Sequence, residues 1–231
     1  MKYLESEKIK EKPELYIGVK QSLSWILKEP FIFDYFNKFI KKNSNILEIG
    51  CGRGYFLDKL DKAGFQNLQG ADLANYLENK KYKHQALDLN VEKLNFKAGE
   101  LDVIAAFQII EHLENYFLVI QEASRILKKD GMFIFSVPNQ FNIFYRIKFA
   151  LTGNMSGWTL ENNHLLFTTR DVFKKTYLKD FDLVETYYSK GPVPMLGRLN
   201  FIPGVNFPAK NRILPRSEAF SDRVCFFLKK K

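Results

Sequence analysis

A glycine-rich stretch between residues 45 and 60, Asn-Ile-Leu-Glu-Ile-Gly-Cys-Gly-Arg-Gly-Tyr-Phe-Leu-Asp-Lys-Leu, constrains the fold of this chain more than any other segment. The short apolar run before the glycines is typical of a buried strand, and the apolar spacing after them is typical of a helix. Strand, glycine turn and helix in that order form the first half of a nucleotide-binding βαβ unit. The stretch therefore predicts an α/β protein whose main chain lies directly against a ligand.

Two familiar nucleotide-binding patterns do not fit this stretch. A phosphate-binding P-loop ends in Gly-Lys-Ser/Thr, which is not present here. The dinucleotide fingerprint needs its third glycine three residues after the second, where this chain has Tyr55. The pattern that remains is Glu48-x-Gly50-x-Gly52-x-Gly54, and an ordinary glycine-rich turn is the alternative to a binding loop.

The remaining pattern resembles the first motif of class I S-adenosylmethionine (SAM) methyltransferases. The resemblance covers roughly residues 45–190 and the last strand, and it is greatest to the branch that methylates quinone precursors, small metabolites and surface-glycan precursors. It implies a Rossmann-like, doubly wound sheet of seven strands in the order 3214576, with the seventh strand antiparallel. It also implies SAM as the cofactor and S-adenosylhomocysteine as the product.

An acidic residue follows at the spacing that such folds use for ribose. The segment Asn67–Leu73 is typical of a second strand, and its Asp72 lies 18 residues after Gly54. A charged carboxylate can accept hydrogen bonds from both vicinal hydroxyls of a ribose. Asp72 is therefore expected to bind the ribose, with a helix-capping role as the alternative.

The resemblance implies further cofactor contacts on the third and fourth strands. Asp88, at the end of the predicted strand Lys83–Leu89, would accept from the adenine amino group, unless it is a plain turn residue. A backbone carbonyl near the end of the predicted strand Leu101–Ile110 would hold the methionine amino group. The expected cofactor-binding residues are Glu48, Gly50, Cys51, Gly52, Gly54, Tyr55, Asp72, Leu73, Asp88, Leu89, Phe107 and Gln108.

A hydroxyl acceptor would need a base, and histidine suits this role because its pKa lies near neutrality. The sequence has three histidines. His84 lies inside the third strand pattern and is interpreted as structural. His112 belongs to a Glu-His pair after the fourth strand, and His164 ends an inserted segment. These two are the catalytic candidates, with a structural role as the alternative for each.

Two insertions, at residues 139–163 and 191–221, depart from the bare fold and are expected to contact the acceptor. Residues 1–42 are predicted to form an N-terminal helical cap, and residues 43–231 to form the SAM-binding domain with insertions at 139–163 and 191–221. The first insertion follows strand five and is interpreted as a lid, although a basic, aromatic helix there is also suited to peripheral contact with a membrane surface. The expected substrate-binding residues are Tyr16, Tyr145, Arg146, Arg198 and Arg212.

Local signals predict several boundaries. Pro30 is expected to divide the N-terminal helical region into two helices. Gly131 is expected to cap the end of the helix predicted at residues 116–127, and Thr169 to cap the start of the helix predicted at residues 170–178. Residues 191–215 are rich in proline and glycine and are expected to form neither a regular helix nor a strand.

Composition narrows the class of protein. The 231-residue chain has two distant cysteines, which give no disulfide framework or metal-ligand spacing, so we expect a cytoplasmic protein without a metal site. No apolar run approaches the roughly 20 residues of a membrane-spanning helix. The net charge of +9 favours an anionic partner, although solvated surface lysine also accounts for it.

The sequence thus predicts a SAM-dependent methyltransferase acting on an oxygen of a small metabolite or of an anionic glycan or nucleotide-sugar precursor. Nucleic acid is a less favoured partner, because the chain lacks the Asn/Asp-Pro-Pro-Tyr/Phe motif and a separate RNA-binding module. RNA methylation nevertheless stays open as an alternative. The other alternative is a non-catalytic subunit of the same fold that stabilises a partner enzyme.

Overall fold

The computed structural model describes residues 29–155, 157–158, 164–166, 168–189, 191–192, 213–214 and 216–231. Its helices are α1 (Pro30–Phe39), α2 (Tyr55–Lys62), α3 (Tyr116–Ile126), α4 (Ile143–Thr152) and α5 (Arg170–Thr176), with a 3-10 turn at Ile110–His112. Its strands are β1 (Asn45–Ile49), β2 (Asn67–Asp72), β3 (Lys83–Ala86), β4 (Leu101–Phe107), β5 (Leu127–Pro138), β6 (Phe181–Tyr188), β7 (Gly191–Pro192), β8 (Ile213–Leu214) and β9 (Arg223–Lys230).

Seven of the strands form one mixed sheet in the order β3-β2-β1-β4-β5-β9-β6. Strands β1 to β5 are parallel to one another, whereas β9 is antiparallel to both β5 and β6. With the last strand counted as the seventh, this arrangement confirms the predicted order 3214576. Parallel strands bring their carboxyl ends to one edge of the sheet, and ligands of open α/β sheets bind at that edge.

The core has a layer on each side of the sheet, because β1 and β4 are buried on both faces. Successive residues of a strand point to opposite faces, so Ile46 joins the layer under α1 and α2, and Leu47 joins the layer under α3. Aromatic rings fill the first layer, where the rings of Phe36 and Phe56 meet edge to face at 5.4 Å. Helices thus cover both faces, as expected of a doubly wound fold.

Helix α1 begins at Pro30, which occupies its first turn. Proline is tolerated there because the first amide groups of a helix have no partner within the helix. The predicted break of the N-terminal region at this proline is consistent with that start. The rest of the predicted N-terminal cap, residues 1–28, lies outside the described residues.

Three boundary predictions were wrong. Strand β3 ends at Ala86, so Asp88 lies in the turn after it, and Asp88 forms hydrogen bonds with Asn90 and Glu92 that hold this turn. Strand β4 ends at Phe107, because the chain turns at Gln108 with a φ of 53°. The segment after β6 was expected to contain no strand, yet Gly191–Pro192 pairs antiparallel with Ile213–Leu214.

The first residues of β5, after the end of α3, also differ from their prediction. Gly131 was expected to cap α3, but the left-handed residue there is Asp130, with a φ of 62°. Gly131 is needed for space instead, since a Cβ at this position would lie 2.9 Å from the carbonyl oxygen of Lys128 and 3.2 Å from that of Asp102. The glycine therefore permits close packing of the chain rather than a special backbone angle.

Helix α4 follows β5 and extends the carboxyl edge of the sheet. Asn142 caps it by accepting from the amide of Phe144 at 2.9 Å, and Gly153 ends it in a left-handed conformation. No residue within the helix is buried. Among the described residues, no helix is long and apolar enough to cross a membrane.

Candidate cofactor site and active site

The glycine loop between β1 and α2 turns sharply at the carboxyl edge of the sheet. Gly50 and Gly54 have φ values of 68° and 82°, in the left-handed region that favours glycine. The Gly50 amide donates to the carbonyl oxygen of Ala71 at 2.8 Å, which ties the loop to β2. A Cβ at Gly50 would lie 2.7 Å from Cγ1 of Ile109, so the loop is packed tightly against the chain after β4.

Asp72 stands at the end of β2, directly beside the glycine loop. Its Oδ2 accepts from the amide of Gly52 at 2.8 Å, and its Oδ1 accepts from the amide of Leu73 at 2.7 Å. Burial raises the pKa of Asp72, and these two hydrogen bonds oppose the rise. A carboxylate has about four acceptor positions, so each oxygen retains a lone pair. The side chain can therefore hold the loop and accept from ligand hydroxyls together.

Glu48 and Cys51 lie beneath the loop in the protein interior. Burial raises the pKa of Glu48 well above its usual range, and the charge of Asp72 raises it further. Burial likewise raises the pKa of the Cys51 thiol. The Cys51 sulfur lies so close to β2 that a Cβ at Gly70 would be 2.6 Å from it. Cys51 therefore packs against β2 with its side chain and borders the loop through its main chain.

Tyr55 is the first residue of α2 and points along the outer side of the loop. Its hydroxyl donates to Oε1 of Glu78 at 3.0 Å, and Arg53 pairs with the same oxygen at 2.9 Å. Leu77 fills the space beside Gly54, where a Cβ would lie 2.7 Å from its Cδ2. These contacts fix the start of α2. Tyr55 occupies the position at which a dinucleotide-binding fold requires glycine.

Asp88 and Leu89 follow β3 at the same edge. Oδ1 of Asp88 accepts from the amide of Asn90 at 2.9 Å and from its side-chain amide at 3.0 Å. Leu89 is buried in the layer under α3. Asp88 is thus a turn residue in this structure, and its expected contact with adenine stays a prediction.

The chain after β4 carries an unusual backbone conformation. Gln108 has a positive φ, which is uncommon for residues other than glycine and is often found at functional sites. Its amide donates to the carbonyl oxygen of Ser136 at 3.1 Å, and its side-chain oxygen accepts from Nε of Arg223 at 3.2 Å. Phe107 packs inward against Phe56 at 4.9 Å. Only the main chain of Phe107 and Gln108 therefore suits the expected contact with the cofactor amino group.

The structure brings the two candidate bases together. The rings of His112 and His164 have centroids 4.8 Å apart, although 52 positions separate them in the sequence. A main-chain hydrogen bond joins the two segments that carry these histidines: the carbonyl oxygen of Glu111 accepts from the amide of Leu165 at 2.7 Å. Burial lowers the pKa of His164, while a hydrogen bond to the Gly157 main chain raises it and the charge of Arg223 lowers it.

Glu111 completes this group and was not predicted as a site residue. Burial raises its pKa to about 8, opposed by its own backbone and by Arg223. Possible ligand atoms of Glu111, His112 and His164 lie within 4.8 Å of one another. Zinc bonds of about 2.0–2.1 Å in a tetrahedral site would hold such atoms closer together. The grouping is too loose to assign as a metal site, so the absence of a metal remains a prediction.

The expected substrate-binding residues are only partly within the described structure. The Tyr145 hydroxyl donates to Oδ1 of Asp222 at 3.2 Å, which joins α4 to the start of β9. Arg146 is exposed on α4. Tyr16, Arg198 and Arg212 lie outside the described residues. Sequence reasoning also missed Ile109, whose contact with Gly50 had no local signal in the sequence.

Comparison with known proteins identifies the family. A model described as a methyltransferase domain matches residues 27–183, which is more than half of the chain. The chain belongs to this methyltransferase family. SAM is therefore its cofactor, as the names of SAM-dependent relatives and structural neighbours also indicate.

Individual relatives agree with this family but match only part of the chain. An uncharacterized protein of Methanocaldococcus jannaschii is 36% identical over 118 residues, which is 51% of this chain and 46% of the relative. A ubiquinone biosynthesis O-methyltransferase of Rickettsia typhi is 29% identical over 126 residues, covering 52% of this chain and 51% of the relative. The chain thus matches only about half the length of these curated relatives.

Solved structures show the same fold at low sequence identity. A SAM-dependent methyltransferase from Thermotoga maritima, titled a possible histamine N-methyltransferase, has a TM-score of 0.62 at 14% identity and full coverage of both chains. A SAM-dependent methyltransferase from Archaeoglobus fulgidus has a TM-score of 0.58 at 18% identity, covering 87% of this chain and 90% of the other.

The donors and acceptors at the edge of the sheet fit SAM. Asp72 has an acceptor position on each oxygen for the ribose hydroxyls. The left-handed glycines expose the loop main chain, and the chain turns out of β4 at Gln108, where a carbonyl can accept from an ammonium group. These residues would hold the cofactor across the ends of β1, β2 and β4.

Proposed function

We propose that this protein transfers the methyl group of SAM to an oxygen of a small metabolite or of an anionic glycan or nucleotide-sugar precursor. The observation that carries the proposal is the meeting of Asp72, the glycine loop and a pair of histidines at one edge of the sheet. The first two suit the cofactor, and the histidines supply a base beside it. A non-catalytic subunit would need only the fold.

The protein itself has to supply only a small part of the chemistry of methyl transfer. Bound SAM supplies an electrophilic methyl group, so the protein has to position the acceptor, exclude water and remove a proton. An acceptor hydroxyl must lose its proton to a base, and a neutral imidazole nitrogen accepts one. Because burial lowers the pKa of His164, its ring stays neutral at physiological pH. His112, at 4.8 Å between ring centroids, is near enough to share this task.

An anionic group on the acceptor is favoured by the distribution of basic residues. Arg146 is exposed on α4, which contains no acidic residue and follows the carboxyl end of β5. Arg198 and Arg212 belong to the second predicted insertion and are proposed to bind the same anionic group. Arginine forms paired hydrogen bonds with carboxylates and phosphates, so it suits both sugar phosphates and uronic acids.

The choice of oxygen over nitrogen is supported by the relatives. The Rickettsia protein, at 29% identity, is named an O-methyltransferase. The Thermotoga protein, whose title mentions histamine N-methylation, is only 14% identical and informs the fold alone. RNA methylation is the alternative that the net charge of +9 favours.

Transfer of a radiolabelled methyl group from SAM tests the proposal directly. The panel should contain phenolic metabolites, nucleotide sugars, uronic acids, small amines and transfer RNA. We expect label in a hydroxyl or carboxyl compound, with loss of turnover but not of SAM binding in His112→Gln or His164→Gln. Label confined to RNA or to amines would overturn the oxygen assignment. SAM binding by the parent protein without transfer to any compound of the panel would favour the non-catalytic role.

A further inference from the structure

A cavity of about 280 Å³ lies between α5 and one face of β5, β9 and β6. Seven aromatic side chains line it, and Phe135, Phe173, Tyr177 and Phe226 form a cluster among them. Four of the contacts between these rings have centroid distances from 4.7 to 5.3 Å. No residue within α5 is buried, and the cavity lies on the side of this helix that faces the sheet.

Three side chains that line this cavity carry buried polar atoms without a hydrogen-bond partner in the described structure. They are both carboxyl oxygens of Glu111, the hydroxyl of Thr168 and the hydroxyl of Tyr177. The three residues come from the turn after β4, from the segment before α5 and from the end of α5. Buried polar groups nearly always have partners, so a ligand that brings an oxygen atom to this cavity would suit all three side chains.

The cavity is separate from the cofactor site. Within the described chain, neither the glycine loop nor Asp72 lines it. Its inner end is at Glu111 and Tyr177, which are buried, and these two groups interact electrostatically. Its outer end is beside Arg170 and Lys174, which are exposed on α5.

We propose that this cavity is a second binding site, which takes a ring-sized apolar group bearing an uncharged hydroxyl or carbonyl oxygen. An apolar cavity of about 150 Å³ is known to hold benzene, so this larger volume accommodates one substituted ring. Aromatic walls favour a flat ring through stacked and edge-to-face contacts. The oxygen of the ligand would satisfy the hydroxyls of Tyr177 and Thr168 at the inner end.

The ligand oxygen is uncharged for a physical reason. An anion at the inner end would lose its hydration among aromatic side chains. It would also lie next to the carboxyl group of Glu111, which the described residues leave without a hydrogen-bond donor. The cations near the outer end do not alter this, since Arg170 is already paired with Glu218. A hydroxyl oxygen can both donate and accept, as the three buried groups require, whereas a carbonyl oxygen can only accept from the hydroxyls of Tyr177 and Thr168.

Titration of the whole protein with phenol, followed by ligand-observed NMR, tests the site. Phenol should bind saturably, more tightly than benzene, and benzoate should not compete at neutral pH. Tyr177→Phe should weaken phenol binding by about 3- to 10-fold, the value of one hydrogen bond, while leaving benzene binding unchanged. Because its hydroxyl has no partner, this variant should also retain the thermal stability of the parent protein.

A matched pair of variants separates the cavity from general surface binding. Leu183 lines the cavity and is 45% exposed, whereas its neighbour Val184 is 51% exposed and does not line it. Leu183→Trp should obstruct the cavity and weaken phenol binding at least about tenfold. Val184→Trp should leave binding unchanged, and both variants should fold because these positions are partly exposed.

Three outcomes would overturn the assignment. Phenol failing to bind the parent protein would mean that the cavity holds only water. Equal effects of Leu183→Trp and Val184→Trp would place phenol elsewhere. Competition by saturating S-adenosylhomocysteine would place phenol in the cofactor cleft. The site does not depend on the proposed methyl transfer, so the two proposals fail independently: S-adenosylhomocysteine binding without phenol binding would overturn only this one.

Discussion

At the scale of single residues, Asp72 has two tasks, because each carboxyl oxygen accepts a backbone hydrogen bond and retains a lone pair for the ribose. Asp72→Ala should weaken SAM binding about 30- to 150-fold, from the loss of roughly 2–3 kcal/mol of charge-assisted hydrogen bonding. The melting temperature should also fall, because the amides of Gly52 and Leu73 lose their acceptor. Calorimetric titration and thermal denaturation measure the two effects. Lowered stability with an unchanged dissociation constant would leave Asp72 as a structural residue only.

The buried carboxyl group of Glu111 makes stability depend on pH. Its pKa in the folded protein is about 8, above the ordinary 4.5, so the folded state binds this proton more tightly than the unfolded chain does. The free energy of unfolding should therefore fall as pH rises from about 4.5 through about 8. Between pH 6 and pH 9 the loss is about 2–3 kcal/mol for this one group.

Glu111→Gln removes the titration while keeping the size of the side chain. Its melting temperature should exceed that of the parent protein by several degrees at pH 9, and the difference should shrink towards pH 6. Thermal denaturation across this pH range measures it. A parallel pH dependence in both proteins would show that Glu111 does not carry the effect. Asp171→Asn, on the exposed side of α5, is the matched control and should follow the parent protein.

Alanine substitution at two glycines, one in the cofactor loop and one after α2, distinguishes the effect of close packing from that of backbone strain. Gly50 and Gly64 both have a positive φ, of 68° and 90°, so alanine is strained at each. Only at Gly50 would the new Cβ meet a neighbour, at 2.7 Å from Ile109. Gly50→Ala should therefore destabilise the protein by about 1–3 kcal/mol more than Gly64→Ala, and it alone should weaken SAM binding. Chemical denaturation and calorimetry test this, and equal effects would refute tight packing of the loop.

At the scale of elements, local pattern was sufficient for most of the fold. The apolar spacing of residues 45–60 predicted β1, the loop and α2, because strand and helix periods differ over a short window. The cap at Thr169 was also predicted, and its hydroxyl accepts from the amide of Val172 at 3.3 Å. Such features depend on neighbours a few positions away, so the sequence displays them directly.

Features made by distant contacts were not visible in the sequence. The cavity combines Glu111, Thr168 and Tyr177 from three elements, and nothing in their local spacing links them. Gly131 was interpreted as a helix cap, since its need for space arises from the carbonyl oxygen of Asp102 on a neighbouring strand. The strand order itself came from family resemblance, because periodicity defines strands but not their neighbours.

Helix α4 exposes apolar side chains that its packing against the rest of the protein does not explain. Ile147, Phe149 and Leu151 are exposed by 50%, 51% and 79%, next to the basic Arg146 and Lys148. As part of a lid over the acceptor, the Ile147→Ser and Leu151→Ser double variant should keep its melting temperature within about 2 °C, because exposed positions contribute little to stability. It should raise the Michaelis constant of the acceptor found in the methyl-transfer panel, with SAM affinity unchanged.

Sedimentation with anionic phospholipid vesicles gives the control for α4. The lid interpretation expects no pelleting of the parent protein at about 0.15 M salt, where surface charges are screened beyond roughly 8 Å. Pelleting that the double variant abolishes, with turnover unchanged, would assign this helix to a membrane surface instead.

At the scale of the whole molecule, several positive charges of the described residues are paired with nearby acids. Described basic residues pair with acids on several elements, including Lys81 with Asp61 on α2, Lys128 with Asp102 on β4, and Lys229 with Asp130 on β5. Surface pairs of this kind contribute little individually to stability. Their spread over the described residues is consistent with solvated surface charge.

The whole fold should respond to its cofactor, because a ligand that binds only the native state stabilises it. At a SAM concentration of 100 times the dissociation constant, the gain is about 2.7 kcal/mol, or a rise of roughly 5–11 °C in melting temperature for a chain of this size. NAD should give no shift, since Tyr55 stands where a dinucleotide fold needs glycine and its hydroxyl is held by Glu78. Differential scanning fluorimetry with SAM, S-adenosylhomocysteine and NAD measures all three, and Asp72→Ala should need about 30- to 150-fold more SAM for the same shift. A shift with NAD and none with SAM would mean that the edge formed by β1, β2 and β4 binds a different nucleotide from the one its glycine loop and carboxylate indicate.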